Sequence, residues 1–287
     1  MAVTRRTRFG HSACVSRWRR MSMSLVDAVA SAVDGKPGTF GVYARNLNTG
    51  ETIAINADRV LPAESAAKSF ILVYYAQLVA SGVVDPARRL TLDDEHRYIG
   101  TGVLRFLSSG LAPTLDDLAW LMIIVSDNTA TALLLESLGL PDDVNAAMRA
   151  LGYTTPQLNN ITFEQALAGE HFGLSSPRDL AEVYTHMDER SKMMLYRQQH
   201  LIGLPRRLPH MAMAADVGIT MPVRVYNKTG NGSGTFIDSG LFETDHSSWV
   251  VAAMAADQTD FASRPDDTAP TVFGEIGELL YGAWAAA

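Results

Sequence analysis

The chain has 287 residues, of which 47% are hydrophobic and 19% are charged, and its formal net charge is −7. This length and apolar content favour one large folded domain and exclude a globally disordered chain. No apolar run reaches the roughly 18 residues that a membrane-spanning helix needs, and the acidic total argues against a protein that binds nucleic-acid phosphates.

Residues 1–20 differ in charge from the rest of the chain. They hold six arginines and no acidic residue, so the other residues carry a net charge of −13, which is the total of −7 less these six positive charges. The segment Thr4–Phe9 resembles a twin-arginine export signal, but the apolar segment that should follow it is missing. We interpret residues 1–22 as a basic disordered leader, or as residues upstream of a true start at Met21 or Met23.

The first elements predicted along the chain are a helix, a hairpin and a second helix. Apolar residues recur at helical spacing over Ser24–Val33. Two strands, Thr39–Asn46 and Thr52–Asn56, flank a turn of asparagine, threonine and glycine. A long apolar helix then spans about Ser65–Ser81 and is closed by Gly82.

Helices are predicted for the middle of the chain. Thr114 is a good N-cap, and Asp117 stands where a short capping box needs an acid. Further helices are predicted over Asn128–Leu138 and Asp142–Leu151, and each is followed by a glycine. The segment Tyr153–Ser175 is predicted to be long and irregular.

Strands return towards the end of the chain. Ser176-Pro177 has the residue types of an N-cap and a first helical position. Three strands follow, over Val223–Asn227, Thr235–Glu243 and Ser248–Ala256, and a helix over Thr271–Trp284 ends the pattern.

This order of elements indicates the fold class. Because strands and helices do not alternate, a doubly wound parallel sheet is disfavoured. We predict an α/β (α+β) fold, with an antiparallel sheet flanked by helices and an all-helical lobe. Residues 23–287 would form one catalytic domain, with an α/β lobe of residues 23–60 and 220–287 and a helical lobe of residues 61–219.

Ser65-Ala66-Ala67-Lys68 lies at the start of the apolar helix. Residues i and i+3 share a helix face, so the Lys68 amine can reach the Ser65 hydroxyl. A serine becomes a good nucleophile when a base takes its proton, and a buried lysine near other cations has a lowered pKa that suits this role. The alternative is an exposed first helical turn, because this pattern alone occurs by chance in many chains.

Two further motifs also carry a serine or a lysine. Ser126-Asp127-Asn128 lies between two apolar helical segments, where it caps the second helix, presents polar groups to a cleft, or does both. Lys228-Thr229-Gly230 ends a predicted strand, and its glycine lets a ligand lie close to the strand edge. The alternative for this third motif is a surface lysine before a hairpin.

Together, in this order and context, the three motifs resemble those of the class A β-lactamase and penicillin-binding-protein superfamily. The resemblance extends from about Ser24 to Trp284. It implies an antiparallel sheet flanked by helices, a helical lobe and an active site in the cleft between them. It also implies a small-molecule amide or ester substrate, and neither a cofactor nor a metal. The sole cysteine, Cys14, lies in the leader, so no cysteine metal site is expected.

The residues implied by this resemblance fall into two groups. The catalytic residues would be Ser65, Lys68, Ser126 and Lys228. The substrate-binding residues would be Asn128, Thr229, Gly230 and Asn231. Ser65 would be the acylated nucleophile, Lys68 would share its proton, and Ser126 would relay a proton to the leaving nitrogen. The N–H groups of Ser65 and Asn231 would form the oxyanion hole.

The sequence departs from the family pattern at two places. Working class A enzymes carry a glutamate in the long loop, in an ExxLN context, which activates the water for deacylation. Here the expected position falls near Asn160 to Thr162, none of which is a carboxylate. Glu164 is the nearest possible deacylation base, with a surface residue as the alternative, and Glu170 and His171 lie further along. The strand after Lys228-Thr229-Gly230 also lacks an arginine to support the carboxylate pocket.

These features leave three functions open. The first is a serine acyl-enzyme hydrolase of the β-lactamase family that opens a β-lactam or a related amide or ester. The second is a penicillin-binding or biosynthetic serine hydrolase or acyltransferase with slow or absent β-lactam turnover. A protein that only binds is disfavoured, since it needs no nucleophile, base and relay together. Without a recognisable signal peptide we expect a cytoplasmic monomer, whereas a resistance β-lactamase would be secreted.

Overall fold

The computed structural model describes residues 23–159, 165, 170–260 and 264–285. The predicted leader and the loop positions Asn160 to Thr162 and Glu164 lie outside the described residues. The described elements follow the predicted order of a helix and hairpin, a block of helices, three strands and a closing helix. The predicted fold class is therefore confirmed.

The strands of the described residues are β1 (Thr39–Asn46), β2 (Thr52–Ile55), β3 (Leu61–Pro62), β4 (Gln157–Leu158), β5 (Gly173–Ser175), β6 (Arg224–Gly232), β7 (Thr235–Glu243) and β8 (Ser248–Ala256). The helices are α1 (Leu25–Val33), α2 (Lys68–Ala80), α3 (Leu115–Ile124), α4 (Asn128–Leu138), α5 (Pro141–Ala150), α6 (Pro177–Glu182), α7 (Glu189–Tyr196) and α8 (Thr268–Trp284). Short 3₁₀ turns span Glu64–Ala67, Asp94–His96, Leu104–Phe106, Val183–His186, Leu204–Arg207 and Ala214–Val217.

Among the described residues, five strands form one antiparallel sheet in the order β2-β1-β8-β7-β6. Strand β1 from the start of the chain pairs with β8 from its end, as predicted, so that Tyr43 lies opposite Ala252. Successive side chains of a strand point to opposite faces. Val42 accordingly joins the core formed with α1 and α8, whereas Tyr43 joins the core of the helical lobe. Both faces of the sheet are thus covered.

Helix α2 runs through the core of the helical lobe. The consecutive residues Phe70, Ile71 and Leu72 are all fully buried, so protein surrounds the first turns of the helix on every side, whereas Gln77 and Ala80 near its end are exposed. The sequence predicted one continuous helix from Ser65, and that prediction is wrong at its first turn. Residues Glu64–Ala67 form a 3₁₀ turn, and Glu64 has a φ of 45°, a left-handed conformation that does not fit an α-helix.

The predicted helix caps are present. Asp117 N donates to Thr114 Oγ1 at 3.0 Å, and Thr114 N donates to Asp117 Oδ2 at 2.8 Å, which completes the capping box of α3. Ser176 accepts a hydrogen bond from Asp179 N at 3.1 Å, and Pro177 is the first residue of α6. These caps fix where α3 and α6 begin.

A second, smaller antiparallel sheet was missed by the sequence analysis. Its strands, within the described residues, lie in the order β3-β5-β4, and β4 and β5 fall inside the segment predicted to be irregular. Strands of two or three residues are too short to show a periodic pattern. The pairing of Leu61 with Ser175 ties the end of that segment to the residues that precede the Glu64–Ala67 turn. None of the described helices is long and apolar enough to cross a membrane.

Candidate active site

Ser65 lies in the 3₁₀ turn immediately before α2 and is half-buried. Strand β6 packs directly against this turn at Gly230. A Cβ atom on Gly230 would lie only 2.6 Å from Ala63 O and 3.0 Å from Ser65 N. A side chain at this position would therefore push the strand and the turn apart, so glycine is required where the third motif meets the first.

Lys68 is the first residue of α2, and 1% of it is exposed. Its Nζ donates to Ser126 O at 2.8 Å, to Ser126 Oγ at 3.1 Å and to Asn128 Oδ1 at 2.9 Å. The sequence placed the amine within reach of Ser65, but in the described structure the amine donates to the second motif instead. Three acceptors at the start of α4 satisfy a buried ammonium more completely than one hydroxyl does.

Lys228 brings the third motif to the same point. This residue is fully buried, and its Nζ donates to Ser126 Oγ at 3.1 Å and to Thr229 O at 2.8 Å. The amines of Lys68 and Lys228 therefore both contact the Ser126 hydroxyl. We refer to Lys68, Ser126, Asn128 and Lys228 as the amine cluster.

Burial changes the acidity of both lysines in the cluster. The pKa of Lys68 is held well below its usual value by burial and by the charge of Lys228, and the charge of Asp127 opposes this effect. Burial lowers the pKa of Lys228 to about 7, although the negative charge of Asp238 acts in the opposite direction. The charged form of a buried amine is disfavoured, and more so beside a second cation. The cluster can thus contain one neutral amine and one ammonium near neutral pH.

The junction between α3 and α4 holds the second motif. Ser126 has a φ of 55°, a strained left-handed conformation that turns the chain between the two helices. Asp127 caps α4 through Ala130 N at 2.9 Å, and its other oxygen accepts from Val103 N at 2.6 Å and Leu104 N at 2.7 Å. The helix-cap interpretation therefore holds for Asp127, while the side chain of Ser126 contacts both lysines.

Residues 98–104 form a segment, here called the strap, that lies over this junction and was missed by the sequence analysis. Asn128 Nδ2 donates to Ile99 O at 3.1 Å, and Asn128 N donates to Thr101 O at 3.0 Å. Gly100 has a φ of 116°, and a Cβ there would lie 2.3 Å from Asn128 Nδ2. The available sequence signal was a pair of glycines two residues apart, which marks a turn but does not identify its partner.

The residues predicted to bind the substrate carboxylate, and those around them, differ in burial and in their partners. Thr229 is buried, whereas Asn231 is exposed. Arg224 donates to Asp245 at 3.1 Å, so the guanidinium on this strand is engaged outside the cluster. His200, in the loop after α7, lies close enough to the two cluster lysines for their charges to lower its pKa, after the larger effect of burial. No motif or spacing in the sequence distinguishes this histidine from the other six.

Asp238 is a buried acid that the sequence analysis also missed. It lies opposite Thr229 in the β6–β7 pair and accepts hydrogen bonds from Asn227 Nδ2 and Leu204 N, each at 2.8 Å. Burial raises its pKa to about 7, against the effect of these hydrogen bonds. The available signal was an acidic residue in the middle of a predicted strand. No cluster of three or more histidine, cysteine or acidic side chains suited to a metal ion occurs in the described part of the chain.

The end of the long segment contacts Glu64, the residue that precedes Ser65 in the 3₁₀ turn. His171 Nδ1 lies 2.5 Å from Glu64 Oε1, and Glu64 also accepts a hydrogen bond from the backbone of Phe172. Asn159 N donates to Phe172 O, and Asn159 Nδ2 donates to His171 O, both at 2.9 Å. We refer to residues 170–175 as the loop exit. Burial raises the pKa of Glu64, although His171 opposes this effect.

Comparison with known proteins identifies β-lactamases as relatives of this chain. A sequence model described as the beta-lactamase enzyme family matches residues 24–284. The carbapenem-hydrolyzing β-lactamase KPC of Klebsiella oxytoca is 28% identical over 176 residues, which are 58% of this chain and 57% of that protein. The structure of a β-lactamase from Sphaerobacter thermophilus has a TM-score of 0.77 and 28% identity, covering 90% of this chain and 96% of that chain.

A PBP-A mutant, solved as an acyl-enzyme complex with penicillin G, has a TM-score of 0.78 and 24% identity, and the match covers 90% of this chain and 95% of that chain. This likeness concerns the fold. The family match, by contrast, includes all three sequence motifs and both lobes. The chain therefore belongs to the β-lactamase enzyme family, as a serine hydrolase of the β-lactamase type.

Proposed function

We propose that this protein opens a β-lactam, or a related amide or ester, through an acyl-enzyme on Ser65. The observation that supports this most strongly is the contact of Lys68 and Lys228 with one hydroxyl, that of Ser126, each at 3.1 Å. A neutral amine that accepts a proton, a hydroxyl that relays it and an ammonium that attracts an anion are thereby assembled beside the turn that carries Ser65.

The proposed acylation conserves atoms and protons. Ser65 Oγ bonds to the substrate carbonyl carbon while its proton passes to Lys68. The carbonyl oxygen carries the developing negative charge, and the backbone N–H groups of Ser65 and Asn231 stabilise it. The carbon–nitrogen bond then breaks, and Ser126 supplies a proton to the leaving nitrogen, which Lys68 replaces.

Substrate binding is assigned to the remaining predicted residues. Asn128 would bind the substrate amide, and Lys228 with Thr229 would hold the substrate carboxylate. Gly230, which has no room for a side chain, would let the substrate lie along the edge of β6. A charge-assisted hydrogen bond to the carboxylate would select for anionic substrates.

A second candidate function is supported by the long loop. It is a penicillin-binding or biosynthetic serine hydrolase or acyltransferase that acylates normally but releases β-lactams slowly or not at all. Water attacks the ester only if a base takes its proton, and the chain has an asparagine, an isoleucine and a threonine at positions 160–162. Glu164, which lies outside the described residues, is the remaining candidate base.

Intact-protein mass spectrometry with benzylpenicillin tests both candidates. We expect an adduct on the wild-type protein and none on Ser65→Ala. Ser233→Ala, which changes an exposed serine of the β6–β7 hairpin, is the matched control and should be labelled normally. A fully labelled Ser65→Ala protein would contradict the proposal.

The lifetime of the adduct separates the two candidates. If Glu164 is the deacylation base, Glu164→Gln should lengthen the lifetime sharply. If no residue of the loop replaces the missing glutamate, the wild-type adduct should persist, with a burst of one equivalent, and Glu164→Gln should change nothing. Rapid multiple turnover that is unaffected by Glu164→Gln would show that this interpretation of the loop is wrong.

A further inference from the structure

Thr101, in the strap, shares its hydrogen-bond acceptors with Lys68. Thr101 Oγ1 donates to Ser126 O at 2.7 Å and lies 3.5 Å from Asn128 Oδ1. Lys68 Nζ donates to the same two atoms, at 2.8 and 2.9 Å. The strap holds Thr101 in place through the 3.0 Å bond from Asn128 N to Thr101 O.

Shared acceptors affect which form of the amine is stable. A carbonyl oxygen has two lone pairs, and a second donor weakens the bond that it makes with the first. Hydrogen bonds to the charged form of a group favour that form. A hydroxyl that occupies Ser126 O therefore reduces the stabilisation that this oxygen gives to the Lys68 ammonium.

We propose that Thr101 is a positioning residue of the reaction, whose hydroxyl takes up acceptor capacity at Ser126 O and thereby keeps the Lys68 amine available as a base. This inference rests on the proposed function in one respect, the role of Lys68 in accepting the Ser65 proton. The other charged groups that act on the pKa of Lys68 are Lys228 on β6 and Asp127 at the start of α4, and His200 in the loop after α7 is a nearby titratable group whose own pKa the lysine charges lower. None of these groups is altered by a change at Thr101.

The test is a titration of Lys68 by NMR in protein labelled with ¹³C at lysine Cε, with the signal assigned by its loss in Lys68→Arg. Thr101→Val removes the hydroxyl but keeps the shape of the side chain, so it should raise the pKa of Lys68 by about half a pH unit, or about threefold in the equilibrium constant. Thr101→Ser retains the hydroxyl and should titrate as the wild type does.

Thr131→Val is the matched control. Thr131 Oγ1 donates to Asp127 O at 2.6 Å, so this variant also deletes a threonine hydroxyl bonded to a backbone carbonyl of the junction, but at a carbonyl that Lys68 does not contact. It should lose stability and leave the Lys68 titration unchanged. A Lys68 pKa that is equal in Thr101→Val and wild type, or shifted equally in Thr131→Val, overturns the proposal.

Acylation kinetics give a second readout. The rate of acylation by benzylpenicillin should fall below the pKa of Lys68, and this acidic limb should move to higher pH in Thr101→Val by the same amount as the titration. Well above the limb, the two rates should be equal, whereas a purely structural role would lower the rate at every pH. If no adduct forms at any pH, the proposed function fails, and the NMR titration, which needs no substrate, still decides the inference.

Discussion

The amine cluster and the loop exit both contact the Ser65 turn, but they do so with different chemistry. In the amine cluster, two buried amines donate to the same serine hydroxyl, and each amine is easier to deprotonate than an exposed lysine. In the loop exit, His171 and the backbone of Phe172 form hydrogen bonds with the carboxylate of Glu64, which satisfies a buried acid.

This difference indicates that the amine cluster serves the reaction, whereas the loop exit stabilises the fold. Burying two amines side by side is unfavourable for folding, because each is removed from water and one cannot be charged without repelling the other, so their presence in a buried cluster indicates a chemical role. An acid paired with a histidine and a backbone N–H stabilises the fold at the point where the long segment returns to the turn. We therefore expect substitutions in the two regions to affect different measurements.

The largest expected effect is that of Lys68→Met. Removing the base should slow acylation by benzylpenicillin about 10³-fold, within the range that general bases contribute. The melting temperature should stay the same or rise, because Lys68→Met removes a polar amine whose burial beside Lys228 is unfavourable. Lys192→Met, which changes a partly exposed lysine paired with Glu243, is the control and should leave acylation unchanged. A stable Lys68→Met protein with normal acylation would show that Lys68 is not the base.

Lys228→Met should have the next largest effect, and only for anionic substrates. Loss of a charge-assisted hydrogen bond costs about 1.5–3 kcal/mol, which corresponds to a fall of roughly 10- to 100-fold in acylation by penicillin. Acylation by a neutral ester such as nitrophenyl acetate should change much less. Equal losses on both substrates would contradict the assignment of Lys228 to the carboxylate.

The pH dependence of the wild type provides a check that needs no variant. Since the pKa of Lys228 is lowered to about 7, its amine is charged below that pH and becomes neutral above it. Binding of a carboxylate substrate should therefore weaken as the pH rises through about 7, whereas binding of a neutral ester should not. A KM for penicillin that stays constant from pH 6 to pH 9 would be inconsistent with this.

In the loop exit, His171→Ala should reduce stability. It leaves the largely buried carboxylate of Glu64 without its side-chain partner, at a cost of about 1–3 kcal/mol in the free energy of unfolding. The acylation rate should change far less than in Lys68→Met. His246→Ala, at an exposed histidine, is the control for stability. If His171→Ala kept full stability but lost acylation, the separation between the two regions would be wrong.

The smallest effect is expected from removal of residues 1–20, the basic segment that we interpret as a leader. A chain that begins at Met21 should keep the melting temperature and acylation rate of the full chain, because residues 1–20 show no apolar pattern. A drop of several degrees would instead show that the leader packs on the acidic remainder, which attraction between opposite charges permits.

The main elements of the fold could be predicted because their signals are local. Alternation over Thr39–Asn46, the Thr114–Asp117 capping box and Ser176-Pro177 each depend on neighbouring residues, and the structure contains all three elements. The short strands β3, β4 and β5 could not be predicted, since each exists only through its pairing with a distant partner.

The candidate site likewise has features that the sequence could predict and features that it could not. The three motifs indicated which side chains to expect, and the structure brings Lys68, Ser126, Asn128 and Lys228 together. The contact of Lys68 with the second motif, the strap with Thr101, and the buried Asp238 depend on tertiary packing. No periodicity or spacing in the sequence encodes which backbone carbonyl a buried amine will find.

The most direct measurement of the central claim is the location of the penicillin adduct. Wild-type protein is mixed with benzylpenicillin, quenched in acid, digested, and its peptides are sequenced by tandem mass spectrometry. The account predicts one adduct per chain, on the hydroxyl of Ser65, and none in the Lys68→Met protein after the same short exposure. An adduct on any other residue, or no adduct on a folded protein after prolonged exposure, would contradict it.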